Sequence, residues 1–165
     1  MRRIAPVATA LSILGLICPV AAADAPFGFS WSQGADAMPK PSSTANDSNY
    51  TVLTYQGAQL PKSATQTEVV TAKVCDGVGL QQVRWYSHPY ALSLAINAFL
   101  DVYQQGVQRY GEAQQADLEH GAANWTAERI RMRTERDDDS YRILVISDGP
   151  QFAACRAQHR KLTGR

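Results

Sequence analysis

Residues 69–87 read VVTAKVCDGVGLQQVRWYS, and the fold turns on them. A valine-rich arm runs to Cys75, Asp76-Gly77 follows, and a second arm ends in Trp85-Tyr86-Ser87. β-branched and aromatic residues suit a pleated, half-buried surface. Asp-Gly suits a tight reversal, because glycine adopts positive φ without a Cβ penalty. The stretch therefore predicts a β-hairpin or two successive strands. In the second arm Leu80, Val83 and Trp85 do not share one strict face, so a bulge is expected at Gln81-Gln82.

Working outward, Tyr50–Tyr55 (YTVLTY) predicts a further strand, and 56–68 reads as loop around Gly57 and Pro61. Residues 24–31 (DAPFGFSW) alternate Phe27, Phe29 and Trp31, which suits a short strand or extended segment. Residues 32–49 are rich in Ser, Asn, Ala and Pro, with Met38 the only large apolar side chain before Asn49. They predict a loop or mobile linker with room for one helical turn. On the other side of the hairpin, 89–110 predicts a helix. Leu92, Ile96, Phe99, Tyr103, Val107 and Tyr110 form one apolar stripe, Ser87 or His88 serves as cap, Pro89 suits the first turn and Gly111 the stop. Residues 112–123 read as loop. Residues 124–135 (NWTAERIRMRTE) alternate as a strand, Asp137–Ser140 as a turn, 141–147 (YRILVIS) as a central apolar strand, and 151–162 as a short terminal helix. No internal repeat is present. Strands on either side of one helix predict an α+β fold: an antiparallel sheet of about 4–5 strands packed against one long helix, with a short C-terminal helix.

Before Asp24 stands a cationic start at Arg2-Arg3, an apolar run from Ile4 to Val20, and Ala21-Ala22-Ala23. These are the parts of a secretory signal peptide, predicting a leader at 1–23, cleavage between Ala23 and Asp24, and one domain over 24–165. The run is too short, and too broken by Pro6, Gly15 and Pro19, to span a bilayer. No other segment is long and apolar enough to do so. A periplasmic or secreted location follows as an expectation. Cys18 leaves with the leader, so Cys75 and Cys155 remain as an even pair in an oxidising compartment and predict a disulfide.

The chain holds 16 Lys+Arg against 15 Asp+Glu; loss of Arg2 and Arg3 leaves 14 against 15. A near-neutral mature chain argues against a nucleic-acid binder held by overall charge. At 45% aliphatic plus aromatic and 19% charged residues, the chain is too apolar for full disorder and too mixed for a polytopic membrane protein.

PFGFSW at 26–31, QLPKS at 59–63, GLQQVRWYS at 79–87, RYG at 109–111, a Trp-led strand at 125 and a basic, cysteine-bearing end give the chain an order and spacing. In these features it resembles small exported bacterial α+β domain proteins of uncharacterised function. The resemblance covers most of the mature chain. It implies an exported α+β domain and carries over no activity, ligand or catalytic residue.

Motifs for chemistry are scarce. Glu119-His120 lacks the second histidine of a zinc hydrolase helix. Ser147-Asp148-Gly149 lacks the first glycine of a nucleophile elbow. Gly77-Val78-Gly79 leads into a strand, not a helix that could cradle phosphate. Asp137, Asp138 and Asp139 lack a calcium-loop pattern and read as a hairpin tip. His88 reads as a capping or packed residue, with acid/base work at a helix start as its functional alternative. No catalytic residue, metal site or cofactor is expected.

The arginines offer more. Arg129, Arg131 and Arg133 alternate, so an extended strand would put all three on one face, and Arg142 across the hairpin would lengthen the row. Either Glu128, Glu135 and the Asp turn neutralise this face, or it docks an acidic protein, an anionic glycan or a lipid head group. The leading expectation is an exported, non-catalytic binding or interaction protein. A small exported enzyme inhibitor or immunity-type protein is the alternative, and a hydrolase with a dispersed site a third.

Overall fold

The structure, a computed structural model, describes residues 24–62 and 66–164. The leader expected at 1–23, with Ala23 of the expected cleavage site, lies outside the described residues.

Among the described residues, the expected sheet of about 4–5 strands is corrected to one of eight, and strand outweighs helix. The strands are β1 (Ser43–Asp47), β2 (Tyr50–Gln56), β3 (Thr67–Cys75) and β4 (Gly79–Ser87), then helix α1 (Leu92–Tyr110). β5 (Gln115–Asp117), β6 (Ala122–Trp125), β7 (Ile130–Asp137), β8 (Ser140–Asp148) and helix α2 (Phe152–Thr163) follow. The spatial order is β1-β2-β3-β4-β8-β7-β6-β5, with every pairing antiparallel. Two four-stranded meanders therefore meet where β4 pairs β8.

The additional strands are the ones hydrophobic patterning cannot see. β1 (STAND) and β5 (QAD) are the two edges, and every one of their residues is exposed. An edge with no buried side chain shows no alternation. Five residues of the stretch expected as a linker are thus the first edge strand, and the loop expected at 112–123 contains the other. The alternation at 124–135 belongs to two strands, β6 and β7, parted by a turn. Residues 24–31 form no strand: a 3-10 turn occupies Pro26–Gly28, with Phe27 at φ 65° and Gly28 at φ 76°. Their aromatics point inward because the segment lies across the sheet. Phe29 is buried, with its ring centroid 5.6 Å from that of Tyr55.

Cross-strand register aligns one apolar face through both meanders. Leu53 and Tyr55 face Ala72 and Val70, which face Val83 and Trp85. These continue into Ser147 and Val145, then Ile130 and Met132, then Trp125 and Ala123. The N-terminal segment covers the β2–β4 half, bringing Ala25, Phe29 and Met38 into its core. α1 covers the β6–β8 half with Phe99 and Tyr103. Trp85 packs against both halves.

The β3–β4 register skips Gln81, since Lys73 pairs Gln82 and Val74 pairs Leu80. The Gln81 side chain is fully buried and satisfied: Oε1 accepts from the Gln151 N–H at 2.8 Å, and Nε2 donates to the Val78 carbonyl at 3.1 Å. The bulge thereby anchors the start of α2. On the opposite face of the sheet, Cys75 is bridged to Cys155 of α2, with the two Cα atoms 6.2 Å apart. The Asn49 amide donates to the Cys155 carbonyl at 3.2 Å, which leaves its Oδ1 as acceptor for His159 Nδ1 at 3.0 Å. The His159 ring stacks on Tyr50 at 4.2 Å.

α1 corrects the sequence reading at its start. Its cap is Ala91, with no side-chain bond, in place of Ser87 or His88. Ala95, Phe99 and Tyr103 are its buried positions, while Leu92 and Ile96 stand 57% and 59% exposed. Leu92 and Ile96 lie on the stripe of Phe99 and Tyr103, so the stripe is real but its first turns overhang what it packs on.

Two predictions follow from the packing. A closed loop of this length is worth roughly 4–5 kcal/mol in the chain-entropy model. Cys75→Ala with Cys155→Ala should lose about 2–5 kcal/mol in urea unfolding while keeping the native far-ultraviolet spectrum. Gly106→Ala should also destabilise, although alanine ordinarily gains about 1 kcal/mol in a helix. A Cβ there would sit 2.7 Å from Cη2 and Cζ2 of buried Trp125. Its indole is pinned by a 2.8 Å bond from Nε1 to the Gly111 carbonyl. Overpacking should win by about 1–3 kcal/mol, read as a lower unfolding midpoint.

Candidate functional site

Because the apolar face is covered by two separate pieces of chain, a groove of about 320 Å³ remains where they part. Its floor is the junction of the two meanders. One row across the strands is Val83, Ser147, Ile130 and Trp125; the next is Trp85, Val145 and Met132. Pro26 and Phe27 form one bank. Val102, Gln105, Gly106 and Arg109 form the other. Those four helix positions are spaced i, i+3, i+4 and i+7, so they share one helical face beside the Phe99–Tyr103 stripe. Phe27 contributes from a left-handed backbone at φ 65°, ψ 23°. For a bulky residue this conformation costs on the order of 1–3 kcal/mol, and such strain concentrates at ligand sites.

The polar groups here are few and uncommitted. Among the described residues, the side chains of Ser147, Gln105 and Arg109 have no hydrogen-bond or carboxylate partner. Arg109 lies over the Tyr110 ring, 5.3 Å from its centroid. Burial pushes the Tyr110 hydroxyl above its ordinary range; the Arg109 charge opposes this and Glu128 adds to it. Glu112, a further carboxylate near this end of α1, already accepts from the Tyr103 hydroxyl at 3.2 Å. A second hollow of about 580 Å³ lies beside Tyr55 and Met38. Tyr55 and Gln33, which line it, are spent on the carbonyls of Pro39 and Ala37 at 3.2 and 2.6 Å.

The arginine row occupies the other face. Arg129 is not in it: it stands in the turn before β7 at φ 56°, and its Nε donates to the Asp148 carbonyl at 3.3 Å. Arg131, Arg133 and Arg142 do share a face, and each already holds a carboxylate. Arg131 meets Asp148 at 2.8 Å, and Arg133 meets Glu135. Arg142 meets Glu68 at 2.8 Å and also Asp137. Asp148 further accepts from Gln82 at 2.7 Å, and Gln82 from Arg84 at 2.8 Å. A polar ladder thus runs over β4, β8 and β7. Beneath it Leu144 and Ile146 are buried, with Tyr86 and Arg133 flanking the first and Arg84 and Arg131 the second. The aliphatic stems of these long side chains suit that role.

The remaining sequence candidates are scattered. His88 is exposed and its N–H donates to the Gln66 carbonyl at 3.2 Å. His120 pairs only with Asp117, at 2.9 Å on the surface. Asp138 and Asp139 form the β7–β8 turn. Among the described residues, no three His, Cys, Asp or Glu side chains are grouped to hold a metal ion, and no helix is long and apolar enough to cross a membrane. Sequence reading missed Arg109, Gln105 and Ser147. The helical spacing of 102, 105, 106 and 109 was the available signal. Ser147 could be placed only once its strand neighbours were known.

No protein-family model, curated protein or solved structure matches the chain.

With its guanidinium groups engaged, the row should contribute little to polyanion binding. Wild type and the Arg131→Ala, Arg133→Ala variant should leave a heparin column at the same salt concentration. Clearly earlier elution of the variant would instead favour the row as a face for an acidic protein, glycan or lipid head group.

Proposed function

We propose that the chain is an exported, non-catalytic binding protein acting outside the cytosol, and that its ligand site is the groove over the β4–β8 junction. The observation that carries the site is the contrast between the two faces. On one, every arginine of the row is matched by a carboxylate. On the other, an apolar floor carries Ser147 and the helix bank carries Gln105 and Arg109, none of them with a hydrogen-bond or carboxylate partner among the described residues. An apolar hollow with a few convergent polar groups is the usual form of a small-molecule site, and about 320 Å³ lies at the lower end of the usual range. Export is supported by the leader-like start of the sequence and by the Cys75–Cys155 bridge, a bond that persists in oxidising compartments.

Trp85 and Trp125 line the groove and report on it directly. The neutral apolar dye 1-aminoanthracene should bind with one-to-one saturation and quench tryptophan emission. Val102→Trp, which fills the groove from the helix side, should abolish this, as should Gln105→Trp from the exposed side of the same bank. Unsaturable dye emission, or undiminished binding by both variants in the folded state, would remove the assignment.

A further inference from the structure

Resting on the groove as the ligand site, we infer that its ligand is a small amphipathic monoanion: an apolar body on Trp85, Val145 and Met132, with a carboxylate head at Arg109 and Ser147. Cross-strand register gives the groove a polar end and an apolar end. Ser147 lies in the row that ends at Trp125. The C-terminal end of α1 is tied to the same place, because Trp125 Nε1 donates to the Gly111 carbonyl at 2.8 Å. Arg109 stands two residues before that carbonyl. The neighbouring row holds only Trp85, Val145 and Met132 on the floor. A ligand that is apolar throughout would cover the hydroxyl of Ser147, a buried residue, and leave it unpaired, at a real desolvation cost.

The sign of the head group follows from Arg109. A guanidinium is charged at every physiological pH and presents a fork matched to carboxylate geometry. The carboxylates around it do not take that role. Glu112 is bonded to Tyr103. Glu128 acts on Tyr110 at a distance but makes no ion pair with Arg109. Arg131, Arg133 and Arg142 are spent on carboxylates, whereas Arg109 makes no ion pair among the described residues and borders an apolar groove. Size sets the rest. At about 30 Å³ per small group, the share a water molecule takes in the liquid, the groove holds roughly ten non-hydrogen atoms. Octanoate has that size.

Displacement of 1-aminoanthracene by octanoate, octan-1-ol and octylammonium at pH 7.5, read on the full oxidised protein, tests this. Octanoate should bind about 10- to 100-fold more tightly than octan-1-ol, as a charge-assisted hydrogen bond implies. Octylammonium should bind most weakly. Arg109→Gln, an exposed position that leaves the core untouched, should erase the octanoate advantage while leaving octan-1-ol unchanged. Equal affinities for octanoate and octan-1-ol, or octanoate binding indifferent to Arg109→Gln, would overturn the anionic ligand while the groove stands as a site. Failure of the dye and all three ligands to bind would overturn the groove itself, and this inference with it.

Discussion

The pairing of β4 with β8 is the constraint from which the rest of the molecule follows. It joins Gln82–Tyr86 to Leu144–Asp148, segments roughly 60 residues apart in sequence, and it fuses two meanders into one sheet. A long closure of this kind gains nothing until the intervening chain is placed. That chain is α1 and the β5–β6–β7 meander. To satisfy the pairing, α1 must leave the end of β4, cross the strands of the second meander and deliver the chain to the far edge. The same register fixes which side chains face α1. A slip by one residue would turn Val145 and Ile143 outward and bring the Arg142 side of β8 against the helix.

The groove is a consequence of how that face is closed. A single sheet of eight strands is broad, and its cover comes from two unrelated pieces of chain. The N-terminal segment docks by aromatic packing of Phe29 on Tyr55, and α1 docks by Phe99, Tyr103 and Trp125. Neither crosses the β4–β8 junction, so Val83, Trp85 and Val145 form a floor without a complete roof. Gly106 lets Trp125 lie close against the helix, and the left-handed turn at Phe27 places an aromatic ring on the opposite bank. Each bank thus contains a local choice that ordinary propensity would not make. Such departures are where function is expected to outweigh local preference.

Legibility in the sequence divides along burial. The arms of the hairpin at 69–87, the bulge that drops Gln81 out of register, and strands β2 and β8 all carry apolar side chains into the core, and periodicity finds them. The pairing of Cys75 with Cys155 is found by counting. β1 and β5 bury nothing, so pattern reading sees only polar loop, and the strand number comes out low. At 24–31 alternation misleads, because aromatics can point inward from a turn as well as from a strand. The helical stripe was read correctly as a pattern, yet Leu92 and Ile96 are exposed, since spacing reveals a face and not what lies beneath it. The site was the least legible part. Arg131, Arg133 and Arg142 drew notice by alternating, and alternation with carboxylates in register is what neutralises them. Arg109 carries no local signal beyond its helical spacing from Val102, and its meaning depends on a floor drawn from three strands distant in sequence.

The covalent staple and the groove lie on opposite faces of the sheet, and this separates stability from recognition. Cys75 points to the face that bears Lys73 and Thr71, and α2 is bound there through Cys155, the Asn49 amide and the stacked rings of His159 and Tyr50. The Gln81 bulge ties the start of α2 to β4, and Gly149 beside it approaches Trp31 so closely that a Cβ would lie 2.8 Å from the indole. The corner of the sheet next to the N-terminal segment is therefore locked by bonds that never enter the ligand face. The floor of the groove inherits that rigidity through its own strands, whereas its two banks lie outside the sheet. They are held by side-chain packing and a few hydrogen bonds, Ser32 and Gln33 to Leu80 on one side and Trp125 to the Gly111 carbonyl on the other. A floor fixed by sheet register between banks that lie outside the sheet allows ligand shape to be accommodated at the banks, while the position of Ser147 relative to Val83 and Ile130 stays set by the strands.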